Sequence, residues 1–158
     1  MNRVYTRVSG NIPVHTGGYP LIPERYAPMT YSLFRIVVGM LFFFFGLQKL
    51  FGWFGGPVAP PGSLQQAAGV VETLCGALVM VGLFTRQAAF LASGEMAIAF
   101  WYIHVSLIAA GKGLGFPAML VPHLNGGVDA TMLCFAFLYI ATRGAGVWSV
   151  DAIARGKS

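Results

Sequence analysis

Seven polar side chains lie inside or beside segments that are otherwise apolar, and their residue types could support acid–base chemistry. They are two cations, three acids and two amides: Arg35, Lys49, Glu72, Glu95, Asp129, Gln48 and Asn125. A charged group in the hydrocarbon of a membrane costs on the order of 2.5–3.5 kcal/mol, so such groups turn inward and find partners. An acid that faces a cation in a dry site can hold the polar head of a ligand or transfer a proton.

The composition of the chain indicates a membrane protein. Of its 158 residues, 56% are hydrophobic and 9% are charged, with a mean hydropathy of +0.70. Soluble domains carry about 25% charged residues. Four apolar segments, at about 31–54, 64–84, 87–108 and 127–143, are each long enough to be a membrane-spanning helix. The sequence therefore predicts an all-α integral membrane protein with a bundle of four transmembrane helices.

The positive charges predict how the bundle is oriented. An even number of spans leaves both termini on one side, and that side also carries the short turn between the second and third spans. Eight of the ten cations fall there: Arg3, Arg7, Arg25, Arg35, Arg86, Arg143, Arg155 and Lys157. Only Lys49 and Lys112 lie on the other side. Because cytoplasmic loops are rich in Lys and Arg, both termini are expected in the cytoplasm. This bias accounts for the net charge of +5 without a nucleic-acid partner.

The chain divides into three parts. Residues 1–30 form an arm rich in Gly, Pro and Tyr, without helical or strand periodicity. Residues 31–153 form the membrane domain, and residues 154–158 are a basic tail. The arm is too poor in clustered apolar residues to fold alone, so we expect it to lie extended against a partner protein. Its tyrosines are the candidate contact residues: Tyr5, Tyr19 and Tyr26.

Helical periodicity and topology pair the polar groups by depth. One stripe of the first span carries both of its cations: Arg35, Gly39, Phe42, Gly46, Lys49 and Trp53. In the inner half of the membrane, Arg35 is expected to form an ion pair with Glu95. In the outer half, Lys49 is expected to meet Glu72 and Asp129. Gln48 and Asn125 complete this outer cluster.

The charge pairs allow three interpretations. They could fix the register of the helices, line a pocket for a head group or a proton path, or face a partner subunit. On a straight α-helix, His104 lies about 180° from Glu95, so the two side chains cannot both face the bundle axis. A metal site built from His104, His123, Glu72 and Asp129 lacks any standard ligand spacing, so no metal is expected.

Four motifs resemble the signatures of the DoxX family. The first is R-x3-G-x6-G-x2-KL, with Arg35, Gly39, Gly46, Lys49 and Leu50. The second comprises Glu72, Gly76, Gly82, Leu83, Thr85, Ala88, Ala89 and Met96. The third comprises Asn125, Gly126, Gly127 and Asp129, and the last comprises Gly144, Gly146, Trp148, Ser149 and Asp151. The resemblance covers about residues 31–153. Two features depart from the family pattern: Asp129 replaces a common Glu, and the arm is unusually long.

The resemblance implies a four-helix protein of the bacterial inner membrane that is associated with redox systems. Relatives of this kind include a quinone-linked subunit of archaeal thiosulfate oxidation and members that scaffold oxidative-stress enzymes. The first hypothesis is an accessory subunit of a larger membrane redox complex, without catalytic activity of its own. The second is a quinone-interacting subunit in which Lys49, Glu72 and Asp129 hold a quinone carbonyl and supply protons. A small-solute transporter is a third. Quinone or lipid is the expected ligand, with no covalently bound cofactor.

Overall fold

The computed structural model describes residues 23–154 and 156, and this part of the chain contains helices and no strand. Its α-helices are α1 (Ala27–Phe51), α2 (Leu64–Val81), α3 (Thr85–Ile98), α4 (Pro122–Asn125), α5 (Val128–Arg143) and α6 (Val150–Ala154). Helix α3 continues directly into a π-helical segment, Ala99–Ala109. The predicted all-α class is confirmed.

Three helical stretches are long and apolar enough to cross a bilayer: Glu24–Phe51, Leu64–Val81 and Thr85–Ala109. The protein is therefore an integral membrane protein by the length and composition of these helices. Helix α5 has 16 residues, which corresponds to a length of about 24 Å. The hydrocarbon core of a bilayer is about 30 Å thick. The count of four spans and the side of the termini consequently stay predictions.

Helix α1 begins before the predicted boundary between arm and membrane domain. It starts at Ala27, with a 3-10 turn at Glu24–Tyr26 immediately ahead of it, and not at Tyr31. Pro28 lies in the first turn of the helix. A proline is well suited to that position, because the N–H that it lacks would have no partner within the helix. The last residues of the predicted arm are thus helical.

Helix α1 also ends earlier than predicted. Its last residue is Phe51, and Gly52 follows in a left-handed conformation with φ of 67°. The Gly52 N–H donates to the Gln48 carbonyl at 2.9 Å, which closes the helix. Trp53 lies beyond this end in a 3-10 turn and is exposed, so it does not belong to the buried stripe.

Glycines allow the backbones of α1 and α2 to touch. A Cβ on Gly76 would lie 2.4 Å from the Phe43 nitrogen, and a Cβ on Gly39 would lie 2.6 Å from the Met80 nitrogen. A Cβ on Gly46 would meet α2 at a similarly short distance. Any larger residue would separate the two helices. This close contact is typical of small residues at helix interfaces in membranes.

A second helix pair packs against the first through a central aromatic contact. Helices α3 and α5 meet where the Ser93 hydroxyl donates to the Cys134 carbonyl at 2.9 Å. Phe42 of α1 and Phe137 of α5 are both fully buried, with ring centroids 4.6 Å apart. The antiparallel pairs α1–α2 and α3–α5 therefore share one core.

Arg35 binds backbone carbonyls and not an acid. Its guanidinium donates to the carbonyls of Val79, Met80 and Trp148 and is fully buried. The last carbonyls of a helix lack partners and carry partial negative charge, so they attract a cation. Glu95 lies ten residues into α3, about 15 Å further into the bundle. The predicted ion pair between Arg35 and Glu95 is therefore wrong.

The segment 144–151 crosses the same end of the bundle, and we call it the C-terminal latch. The Asp151 carboxylate accepts hydrogen bonds from the N–H groups of Phe84 and Thr85, each at 3.2 Å. The Asp151 N–H donates to the Gly82 carbonyl at 2.9 Å. Asp151 thereby caps the start of α3. The last of the four sequence motifs, at residues 144–151, therefore holds the C-terminal segment against this end of the bundle.

Candidate functional site

A cavity of about 420 Å³ lies between α1, α2, α3 and α5. Its walls use the end of α1, the first half of α2, the π-helical segment and the start of α5. Since neighbouring long helices are antiparallel, all of these parts lie at the end of the bundle opposite the C-terminal latch. Most of the lining is apolar, and the ionisable side chains in it are Lys49, Glu72, Glu95, Tyr102, His104 and Asp129.

An ion pair between Lys49 and Glu72 forms the inner wall of the cavity. Glu72 is 1% exposed and Lys49 is 34% exposed. Only one carboxylate oxygen of Glu72 contacts the ammonium. The other, Oε2, is buried and has no hydrogen-bond partner among the residues that the structure describes. The pair predicted from the sequence is present, and it keeps one acceptor atom free.

Glu95 brings a second carboxyl group to the cavity. Its Oε2 atom is also buried and lacks a hydrogen-bond partner within the described part of the chain. One ammonium thus faces two acids inside the membrane domain. If Lys49, Glu72 and Glu95 are all ionised, their net charge is −1, and one added proton brings it to zero.

The π-helical segment places His104 in the same cavity as Glu95. The expectation that the two side chains face opposite directions holds for a straight α-helix. From Ala99 to Ala109 the helix is instead wound with i→i+5 hydrogen bonds, which put more residues into each turn. That change of register rotates His104 towards the cavity. Its Nδ1 lies 3.3 Å from the Asn125 carbonyl oxygen.

The cavity is open to the surface of the bundle. Three of its lining residues are largely exposed: Leu64 (58%), Ile98 (62%) and Tyr102 (50%). These residues belong to helical stretches that are long and apolar enough to span a membrane, so we expect their exposed side chains to contact lipid. An apolar ligand could therefore enter from the hydrocarbon phase without passing through water.

Three other predicted cluster residues differ in their placement. Asp129 lines the cavity but is exposed at its edge. Gln48 is outside the cavity and packs against the loop at Gly56. Asn125 is fully buried outside the cavity lining, where its amide donates to the Met119 carbonyl at 2.8 Å. Gln48 and Asn125 therefore shape the loops and do not contribute polar atoms to the cavity.

The predicted contact residues of the arm lie mostly outside the described residues. Tyr5 and Tyr19 belong to the stretch before residue 23. Tyr26 is exposed, and its hydroxyl accepts a hydrogen bond from Arg25 at 3.0 Å. In the described residues, no three potential metal ligands come together.

The sequence signal for this site was incomplete. Glu95 does not pair with Arg35, because it lies ten residues into α3, at the depth of the cavity. Tyr102 is seven residues from Glu95, so the two side chains share a stripe even on a straight α-helix. His104 enters the site through the π-helical winding, for which the sequence shows no pattern.

Comparison with known proteins identifies the family. Residues 31–105 match the DoxX family model. A protein of Haemophilus influenzae described as uncharacterized is 38% identical over 132 residues, which cover 81% of this chain and 92% of that protein. The chain belongs to the DoxX family. It is also 28% identical over 143 residues to an uncharacterized membrane protein of Mycobacterium tuberculosis, covering 84% of this chain and 86% of the relative. No solved structure matches this DoxX chain.

The DoxX segment contains most of the cavity. Lys49, Glu72, Glu95 and His104 all lie within residues 31–105, whereas Asp129 follows that segment. The ion pair and the second carboxyl thus belong to the part of the chain that defines the family match.

Proposed function

We propose that this DoxX-family protein is a subunit of a larger membrane redox complex and that its cavity binds a quinone. Electrons would come from a redox group on a separate partner protein. The observation that carries the proposal is a single cavity that combines exposed apolar side chains with buried carboxyl oxygens, on Glu72 and Glu95, that have no hydrogen-bond partner among the described residues.

The shape and polarity of the cavity suit a quinone. A quinone has a flat ring with two carbonyl acceptors and a long apolar tail. The Lys49 ammonium is a donor for one carbonyl, and the exposed apolar residues Leu64 and Ile98 give the tail a path into lipid. Ligand sites usually have this composition, with apolar walls and few polar groups. The volume of about 420 Å³ lies within the range of small-molecule sites.

The residues of the cavity also suit the proton chemistry of quinones. Reduction of a quinone to a quinol consumes two electrons and two protons. Glu95 and Glu72 lie on the cavity wall and can each hold and release a proton there. Lys49 compensates one carboxylate charge. The chain thus contributes binding, charge balance and proton transfer, and the partner contributes the electrons.

The alternative is a purely structural accessory subunit. In that case the polar groups would only fix the helices, as Arg35 does by binding the carbonyls of Val79 and Trp148. The cavity argues against this role for Lys49 and Glu95. Side chains that only fix the packing of helices are expected to contact neighbouring side chains, whereas Lys49 and Glu95 border an open cavity.

The proposed orientation has both termini in the cytoplasm of a bacterium, with four spans in the inner membrane. Among the described residues, Arg25, Arg86 and Arg143 lie at the latch end of the bundle. Lys112 lies at the cavity end. This distribution supports a latch end on the cytoplasmic side and a cavity in the outer half of the membrane.

Equilibrium binding of a short-chain ubiquinone and a short-chain naphthoquinone to the protein in lipid nanodiscs tests the proposal. The wild type should bind at least one of them, and Lys49→Met should weaken binding about tenfold or more, which corresponds to about 1.4 kcal/mol. The matched control is Lys112→Met, because Lys112 is an exposed cation at the same end and lies outside the cavity. Absence of binding, or equal affinity in both variants, would contradict the proposed site.

A further inference from the structure

The ionisable residues of the cavity form a series from the surface to the interior. Asp129 is exposed, His104 is half-buried, and Glu72 is 1% exposed. The Glu95 Oε2 atom is buried and unpartnered among the described residues. Helix α5 contributes Asp129, the π-helical segment contributes His104, and helices α3 and α2 contribute the two glutamates. The series therefore crosses the bundle from its edge to its core.

We infer that Asp129 and His104 form a proton-exchange route between water at the membrane edge and the buried carboxyl groups of the cavity. The inference rests on the proposed function for the use of the protons. It does not need a bound quinone for the route itself to operate.

The position of His104 is set by a hydrogen bond that leaves one ring nitrogen free. The Asn125 carbonyl oxygen can only accept, so His104 Nδ1 carries the hydrogen in their 3.3 Å contact. The other nitrogen, Nε2, can then take up and release a proton. Asn125 itself is held by the Met119 carbonyl and by the Gly127 N–H, both at 2.8 Å. The loop before α5 thereby fixes the orientation of the imidazole.

The charges around the route direct the proton to Glu95. Lys49 on α1 already forms an ion pair with Glu72, whereas no described residue forms an ion pair with Glu95. Tyr102 is the remaining ionisable residue in the lining. A cavity of about 420 Å³ has room for several waters, since each takes about 30 Å³ in the liquid. A proton therefore passes from bulk water to Asp129, to His104 and, directly or through cavity water, to Glu95. No electron is transferred in this step.

The test is the rate at which the buried carboxyl exchanges its proton for deuterium. The protein in nanodiscs is held at a pH at which the infrared spectrum shows the C=O band of a protonated carboxyl group, and is then perfused with D₂O. Infrared spectra follow the shift of the carboxyl C=O band, which is assigned by its loss in Glu95→Gln. His104→Gln and Asp129→Asn should each slow exchange about tenfold or more. The matched control, His123→Gln, should exchange like the wild type, because His123 is exposed and outside the cavity.

The outcomes separate this inference from the proposed function. Exchange in His104→Gln and Asp129→Asn as fast as in the wild type would overturn the route. Quinone binding is measured on the same samples, so that the proton route and the quinone site are tested separately. Slower exchange in protein that binds no quinone would support the route and contradict the quinone site. Normal quinone binding with unchanged proton exchange would support the quinone site and contradict the route.

Discussion

Removal of the Lys49 side-chain charge should destabilise the protein because it leaves the carboxylate of Glu72 unpaired. Glu72 is 1% exposed, and Lys49 is its ion-pair partner. Removing one partner of a buried pair typically costs about 3–5 kcal/mol. Lys49 is 34% exposed, so water already screens part of the interaction. We therefore expect Lys49→Met to lower the free energy of unfolding by about 3 kcal/mol, the lower end of that range.

A double variant separates the charge imbalance from the loss of packing. Lys49→Met combined with Glu72→Leu replaces the pair by two apolar side chains of similar volume. Such replacements are often neutral or stabilising, so the double variant should unfold within about 1 kcal/mol of the wild type. It should nevertheless fail to bind a quinone, because the polar groups that hold the ring are gone. Stability would then be restored while binding is lost.

The assay is reversible unfolding in mixed micelles, with quinone binding measured on the same samples. Lys112→Met is the control and should change stability by no more than about 0.5 kcal/mol, as is usual for surface residues. Two results would refute the reasoning. One is a Lys49→Met variant as stable as the control, and the other is a double variant as unstable as the single one.

Three further predictions concern the contact between α1 and α2, the C-terminal latch and the N-terminal arm. Gly76→Ala should lower the free energy of unfolding by about 1–3 kcal/mol, because the added methyl group overpacks the contact with α1. The control is Gly94→Ala, where an added Cβ has no neighbour within 4 Å, and it should be neutral or stabilising by up to about 1 kcal/mol in the same unfolding assay. Equal effects of the two substitutions would contradict the close helix contact. Arg35→Gln should lower the free energy of unfolding by at least about 3 kcal/mol, since three carbonyls lose a charged donor. Asp151→Ala should lower it by about 1 kcal/mol through loss of the α3 cap. Thermal unfolding in detergent measures both, and wild-type stability in either variant would argue against the latch. Deletion of residues 1–22 should leave stability and quinone binding unchanged but reduce co-purification of the partner complex from native membranes; undiminished co-purification would argue against the arm as the contact.

Periodicity predicted the inward face of α1 well. Arg35, Gly39, Phe42 and Gly46 are all buried, as the stripe requires. A polar residue in an apolar helix restricts the rotation of that helix strongly, because only one orientation gives it partners. The same reasoning predicted the pair between Lys49 and Glu72, since each side chain lies on the inward stripe of its own helix.

The sequence predicts the wrong partner for Arg35, because the acceptors that bind it are backbone carbonyls and not an acidic side chain. Sequence patterns show which acids could neutralise Arg35, but they do not show the backbone carbonyls at the end of α2, which bind it here. Because Arg35 binds these carbonyls, it does not pair with Glu95, and the Glu95 carboxyl group lines the cavity instead. The position of His104 could not be predicted either, because the winding of a helix depends on tertiary packing and leaves no periodic signal in the residues.

Photoaffinity labelling with an azido-quinone in native membranes tests the central claim most directly. The account predicts that the label attaches to residues of the cavity wall between Glu95 and His104 and at the start of α2, and that excess unmodified quinone prevents the labelling. Labelling confined to lipid-facing positions away from the cavity, such as Phe90 and Phe135, or labelling that excess quinone does not reduce, would contradict a quinone site in this protein.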